Sequence, residues 1–350
     1  MSKKKDILIL GGGHQGLAMA AHLSSCGESV NLWNRTQDRI AHIQNTGKIH
    51  FSGIVNGVAR INKASSCIDD VLADIIMITT PATAHKEIAS MLARKLTSKH
   101  IVILNPGRTF GALEFAEIIK SSGNNDMPKI AETQTIVYTC RRDETNNVKI
   151  YALKNNVAIA AVNNDDIDDI INAIPICIRD YYMKSDSIIQ TSLGNVGMIL
   201  HCAPVLMNIG WIESPVYEFK YYYDGISKSV ASFAEKIDAE RINVARALGE
   251  TVETVSQWMK RSYGIAGDNL YECINNNLYY KDIDAPQTIR HRYLDEDVSY
   301  GLVPLENIAK YMNTSVPCTT LVIDLANAVM NIDYRKIGRV ISLETIKKYF

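Results

Sequence analysis

The chain has 350 residues, 37 basic against 38 acidic side chains and 47% hydrophobic residues. That length and apolar content supply two ordinary buried cores, which excludes a small fold held together by staples. A formal net charge of -1 gives no global field toward nucleic acid or an anionic membrane, so the partner expected is a small molecule.

The basic start Lys3-Lys4-Lys5 precedes an apolar run, Ile7 to Leu10, that stops at three glycines without a cleavage-like site. This reads as a first buried strand, not a signal segment. Beyond the glycines, Leu17, Ala20, Ala21 and Ser24 recur at helical spacing, Gly27 is placed to cap the helix, and Ser29 to Trp33 forms a second strand. Strand, glycine turn, helix and strand make a βαβ unit. Asn56-Gly57, between Ile49–Phe51 and Val58–Ile61, predicts a β-hairpin that interrupts the alternation. The pattern then resumes with a strand at Ile75–Ile78 ending in Thr79-Thr80-Pro81, a helix over His85–Leu96, and a strand at Ile101–Leu104 ending in Asn105-Pro106-Gly107. In an open α/β sheet, ligands lie outside the carboxyl ends of the strands, which makes Thr80 and Pro81 cofactor-binding candidates.

From about Gln190 strand patterns vanish, and Ser229–Leu248, Leu305–Met312 and Thr319–Met330 show helical spacing. The expected architecture is α/β: an N-terminal Rossmann domain with a doubly wound parallel sheet (residues 1–185), then an all-α C-terminal domain (residues 186–350). No internal repeat or low-complexity linker marks the boundary. Seven scattered cysteines without a C-x-x-C pair point away from disulfides and zinc fingers, and no segment approaches the roughly 20 apolar residues of a membrane span. A soluble, reduced, cytoplasmic protein is expected.

Gly11-Gly12-Gly13-His14-Gln15-Gly16 fits G-x-G-x-x-G. Gly11 permits the tight turn, Gly13 lets a pyrophosphate approach the backbone, Gly16 allows close helix packing, and the N–H groups of His14 and Gln15 open the helix. A carboxylate about 20 residues on would bind the ribose of NAD, but the second strand ends Asn34-Arg35-Thr36. A guanidinium with a neighbouring hydroxyl suits a 2′-phosphate, so NADP is favoured, with Asp38 close enough to keep NAD in view.

Hydride transfer to a carbonyl or imine carbon needs a proton donor, for which histidine is suited. Two second-half stretches mix polar residues into apolar surroundings: Ser192–His201, with Asn195, and Arg290–Pro304, with Arg292 and Asp297. Spacing alone does not choose His201 over His14, His22, His42, His50, His85, His100 or His291. A lone histidine in an apolar stretch is more often a core residue. The hydroxyls of Tyr217, Tyr221, Tyr222 and Tyr223 could line a substrate site, but helix packing explains most of them equally well, and they are assigned no role.

These residues resemble the NAD(P)-dependent octopine/nopaline dehydrogenase family, the opine dehydrogenases, over nearly the whole chain. The segments that carry the resemblance are the glycine loop, Thr80–His85, Asn105–Arg108, Glu132–Arg141, Gly194–His201, Tyr222–Gly225, Asp238–Arg241 and Arg292–Pro304. The resemblance implies reductive condensation of an amino acid's amine with a 2-oxo acid such as pyruvate, through an imine, to an N-(carboxyalkyl)amino acid. It implies His201 as general acid/base, Asp297 as its carboxylate partner, Arg292 as the clamp on a substrate carboxylate, and Asn195 as a residue shaping the site. No metal, nucleic acid or membrane enters this expectation, and a homodimer is compatible with it. Cys202 and Ser299 stand where the family often carries proline, without removing a chemical group. The rivals are an NADP-dependent 2-oxo acid or sugar-phosphate dehydrogenase and a non-catalytic NADPH-sensing protein.

Overall fold

The computed structural model describes residues 5–143 and 147–348, so Lys3 and Lys4 lie outside the described residues. The chain divides into two compact units, Met1–Gly107 with Gly111–Ile188, and Arg108–Phe110 with Ile189–Phe350.

The strands of the first unit run, in chain order, β1 (Ile7–Leu10), β2 (Val30–Trp33), β3 (Lys48–Gly53), β4 (Gly57–Arg60), β5 (Lys63–Ser65), β6 (Ile75–Ile78), β7 (Ile101–Leu104), β8 (Lys129–Thr133), β9 (Tyr138–Arg142), β10 (Val148–Leu153), β11 (Val157–Ala161) and β12 (Tyr182–Lys184). Eight form one sheet in the order β12-β11-β8-β7-β6-β1-β2-β5, parallel except where β11 meets β8. β1, β6 and β7 are wholly apolar and wholly buried, as strands covered on both faces must be. The chain leaves β1 for β2 on one side and later takes β6 on the other, so β1 marks the switch point where such sheets bind ligands.

The hairpin predicted around Asn56-Gly57 forms, with β3 antiparallel to β4. It belongs to a second sheet, β4-β3-β10-β9, which the local pattern did not announce. The helix His14–Ser25 packs on both sheets, and every residue from Gly16 to Leu23 is buried. Its alanines keep both sheets close to the helix axis. The helix expected over His85–Leu96 ends sooner, at Leu92.

The second unit is helical among its described residues, apart from an isolated bridge between Lys220 and Asp284. Helices Lys228–Ala247, Val303–Tyr311 and Pro317–Met330 fall where the apolar spacing placed them. One expectation is corrected: Ile188–Met207 is, by length and composition, apolar enough to cross a membrane. Its apolar residues serve another purpose, since most of the stretch is buried inside the protein and the helix breaks between Leu193 and Gly197.

That break is built by distant residues. Arg241 is fully buried and donates from Nε to Asp238 Oδ1 at 2.9 Å, while its Nη1 caps the Leu193 carbonyl. Glu240, beside it, accepts from the N–H groups of Cys318 and Thr319 at 2.7 and 2.8 Å, closing the first turn of helix Pro317–Met330. The Asp238–Arg241 segment is therefore scaffold, fixing the end of the turn at Leu193 and the start of helix Pro317–Met330.

Candidate functional site

In the first unit the three motif glycines have separable duties. Gly11 has φ +125°, open to glycine alone without strain, and a Cβ on Gly16 would lie 1.7 Å from the Gly11 carbonyl oxygen. A Cβ on Gly13 would meet nothing within 4 Å. The turn therefore needs Gly11 and Gly16 to exist, and Gly13 keeps an approach to the first N–H groups of helix His14–Ser25 open. Those orphan donors suit a pyrophosphate, so the residues present fit a dinucleotide.

The remaining cofactor candidates surround this turn. Asn34 Oδ1 accepts from Gly12 N at 3.0 Å and its Nδ2 donates to the Thr36 carbonyl at 2.7 Å, so Asn34 orders the loop. Arg35 pairs with Glu87 at 2.8 Å, with side chains 69% and 62% exposed. Thr80 Oγ1 is buried without a hydrogen-bond partner, and Pro81 leads into the short turn Ala82–Ala84. Spacing missed the β9 contribution. Arg142 donates from its backbone to His14 Nδ1 and from Nη1 to the Gly12 carbonyl, both at 2.8 Å. Cys140 Sγ lies 3.4 Å from Gln15 Oε1. Burial and the like charge of Arg39 draw the Arg142 guanidinium below its usual value, against Asp143. Arg142 thus brings a cation to the loop, with Arg39 near enough to act on it.

In the second unit His201 sits mid-helix in Gly197–Met207, and its Nδ1 lies 2.7 Å from Asp297 Oδ2. Asp297 has no exposed surface, so its carboxylate is an acceptor fixed in a dry setting. With Nδ1–H donating to Asp297, Nε2 becomes the basic nitrogen. Tyr222 Oη lies 3.2 Å from Nε2, and the Tyr293 ring stacks on the imidazole at 3.8 Å. Tyr222 is therefore at the site, although its spacing assigned it no role; its own ring stacks on Tyr280 at 4.0 Å.

Arg292 opens the turn Arg292–Asp295, is half-exposed, and reaches Glu296 Oε2 at 3.3 Å through Nη2. Directly after Asp297 the backbone forms a π-helical segment, Val298–Leu302, of the kind concentrated at functional sites. Asn195, buried at the break before the His201 helix, accepts from Gly197 N at 3.2 Å and donates to Thr109 Oγ1 at 3.3 Å. Cys202 lies near the Tyr293 carbonyl, 3.6 Å, and the Ser299 carbonyl accepts from Arg339 N at 2.9 Å.

Arg108 and Glu296 complete this cluster, and neither was singled out by pattern. Arg108 donates through Nε and Nη2 to both Glu296 oxygens at 3.3 Å, and its Nη1 lies 3.2 Å from Asp297 Oδ1. The last contact is an ion pair without hydrogen-bond alignment. Burial lowers the proton affinity of His201; Asp297 opposes this by charge and hydrogen bond, while Arg108 and Arg292 reinforce it. Burial thus weakens the imidazolium's hold on its proton while Asp297 orients the ring, leaving Nε2 as the nitrogen that exchanges a proton, as a general acid/base requires.

Residues 7–162 match the family model of ketopantoate reductase PanE/ApbA, and residues 184–330 match that of the NAD/NADP octopine/nopaline dehydrogenase α-helical domain. An opine dehydrogenase of Arthrobacter sp. (strain 1C) is 36% identical over 342 residues, covering 97% of this chain and 94% of its own length. Octopine dehydrogenase in complex with NADH and pyruvate shares the fold with a TM-score of 0.79 at 16% identity, over 98% of this chain and 97% of its own. NADP+-bound yersinopine dehydrogenase shares it with a TM-score of 0.76 at 12% identity, over 97% and 94%.

Proposed function

This chain belongs to the octopine/nopaline dehydrogenase family, the opine dehydrogenases, and on that premise we propose how its own residues run the reaction. The enzyme is an NAD(P)H-dependent oxidoreductase acting on the CH–NH group, condensing an amino acid's amine with a 2-oxo acid to an N-(carboxyalkyl)amino acid. The observation that carries the residue assignment is the 2.7 Å contact of His201 Nδ1 with Asp297 Oδ2.

NAD(P)H, held at the Gly11–Gly16 turn, would supply the hydride. Protonated His201 gives its Nε2 proton to the carbinolamine oxygen, which leaves as water as the C=N bond of the iminium forms. Asp297 meets the imidazolium charge and holds the ring through Nδ1–H. Arg292, with half its side chain exposed, presents a guanidinium edge to a substrate carboxylate beyond its contact with Glu296. Positioned acid/base catalysis of this kind contributes roughly 10²–10⁴-fold.

Pyruvate is the oxo acid assigned, on the analogy of the octopine dehydrogenase complex. NADP is the cofactor assigned ahead of NAD. The Arg35–Glu87 pair is exposed at both ends, and such pairs contribute little, so a 2′-phosphate can displace Glu87 from the guanidinium. Thr36 adds a hydroxyl, and Arg39 with Arg142 adds positive potential at the same loop. The seven free thiols suit a reducing compartment, and we assign the cytoplasm.

A matrix of amino acids against 2-oxo acids, with NADPH and NADH, tests this reading by loss of nicotinamide absorbance. Oxidation that needs both an amine and an oxo acid supports it. Oxidation with pyruvate alone contradicts it.

A further inference from the structure

Arg108 and Phe110 both adopt positive φ, 60° and 62°, a left-handed conformation that strains a non-glycine residue. Such strain persists where surroundings over-determine it. Here they do: Thr109 N donates to the Tyr300 carbonyl at 3.1 Å, Arg339 Nη1 to the Thr109 carbonyl at 2.8 Å, and Phe110 N to Ser192 Oγ at 3.0 Å. The result is to drive a guanidinium, only 8% exposed, beneath the His201 dyad.

Its setting is made to fit. A Cβ on Gly197, the first residue of the His201 helix, would lie 2.5 Å from Arg108 Nη1 and 3.0 Å from Asp297 Oδ1. Glycine at this position is what lets the guanidinium reach the carboxylate. Asn195 Oδ1 takes a further contact from Nη1 at 3.4 Å. The two oxygens of Asp297 are thus divided, Oδ2 to His201 and Oδ1 to Arg108.

We propose that Arg108 is a positioning residue: with Nη1 3.2 Å from Asp297 Oδ1 it fixes the carboxylate whose other oxygen orients His201. This rests on His201 being the acid/base. The groups facing the pair are Asp297, Glu296, Arg292 and Cys202, with the phenols of Tyr221, Tyr222 and Tyr293. Among these, Asp297 favours imidazolium, and Arg108 and Arg292 oppose it. With Arg108 removed, Asp297 serves His201 alone, and protonation becomes easier.

The test uses Arg108→Lys and the double variant Arg108→Gln/Glu296→Gln, which leaves no buried Glu296 carboxylate without its partner. The His201 ring is titrated by NMR, assigned against His201→Asn, and kcat is followed against pH in the reductive direction. The His201 midpoint is expected to rise by roughly one pH unit in the double variant and by less in the lysine variant. The alkaline limb of kcat is expected to rise with it. An unmoved midpoint in folded protein overturns the proposal, whether KM for the oxo acid stays constant or increases. A midpoint that rises while the kcat limb stays fixed upholds the Arg108 assignment and removes His201 as the acid/base instead.

Discussion

His201 Nδ1 and Asp297 Oδ2 are 96 residues apart in the chain and 2.7 Å apart in space. The pair defines which nitrogen of the ring is free to exchange a proton. Asp297→Asn keeps the shape but offers an amide that can hold the opposite tautomer. Its kcat is expected to fall by about 10²-fold or more, with NADPH affinity by fluorescence titration unchanged. A fall in cofactor affinity that accounts for the lost rate would place Asp297 elsewhere in the mechanism.

Gly13 and Gly16 separate cofactor binding from folding. A methyl on Gly13 meets open space, whereas one on Gly16 collides with the Gly11 carbonyl at 1.7 Å. Gly13→Ala is expected to keep its Tm within about 2 °C and lose roughly tenfold in NADPH affinity, because the added carbon stands where phosphate approaches. Gly16→Ala loses both. Undiminished NADPH affinity in Gly13→Ala would argue against this loop as the pyrophosphate site.

The proposed preference for NADP rests on Arg35 reading the 2′-phosphate. Arg35→Gln should lower kcat/KM for NADPH about tenfold and leave NADH nearly unchanged, since one charge-assisted contact contributes on the order of 1.5 kcal/mol. Equal losses with both cofactors would show that Arg35 supports the loop and does not read the phosphate.

Glu306 sets an acid limit to stability. Burial alone would raise its pKa, but hydrogen bonds from Arg335, Lys310 and Thr320 hold it down at about 2, from an ordinary 4.5. Arg335 reaches both carboxylate oxygens at 2.7 Å. A folded-state value below the unfolded one contributes stability that is complete above about pH 4.5 and disappears as pH falls toward 2. Because Arg335 is partly exposed, the contribution is discounted to about 2 kcal/mol. Glu306→Gln is expected to lower urea stability by that amount at pH 7 and by much less near pH 3. A pH-independent difference would assign the loss to packing.

What local pattern conveys well is what depends on neighbours in the chain. The wholly apolar β1 and β6, the glycine turn and the helix Lys228–Ala247 are each legible because one short segment fixes its own period or dihedral. Family likeness brought His201, Asp297 and Arg292 into one reading, and the structure places them in one unit with Glu296 linking the arginines. Arg108 and Tyr222 lie in segments that carry the likeness, but neither received a role from it. Arg108 follows Asn105-Pro106-Gly107, and no spacing states that its side chain turns under a residue 189 positions later, Asp297, at 3.2 Å. Arg142 illustrates the same limit, since it contacts Gly12 across a separation of 130 residues. The apolar Ile188–Met207 stretch shows the converse: hydropathy reports burial without saying what does the burying.

Proton transfer by His201 in an amine-dependent reduction is checked by NADPH oxidation with amino acid and pyruvate together, in the wild-type protein and in His201→Ala, at matched cofactor saturation. A fall of roughly 10²–10⁴-fold in kcat with NADPH affinity retained is expected. Turnover by His201→Ala within about threefold of wild type would remove His201 from the proton transfer.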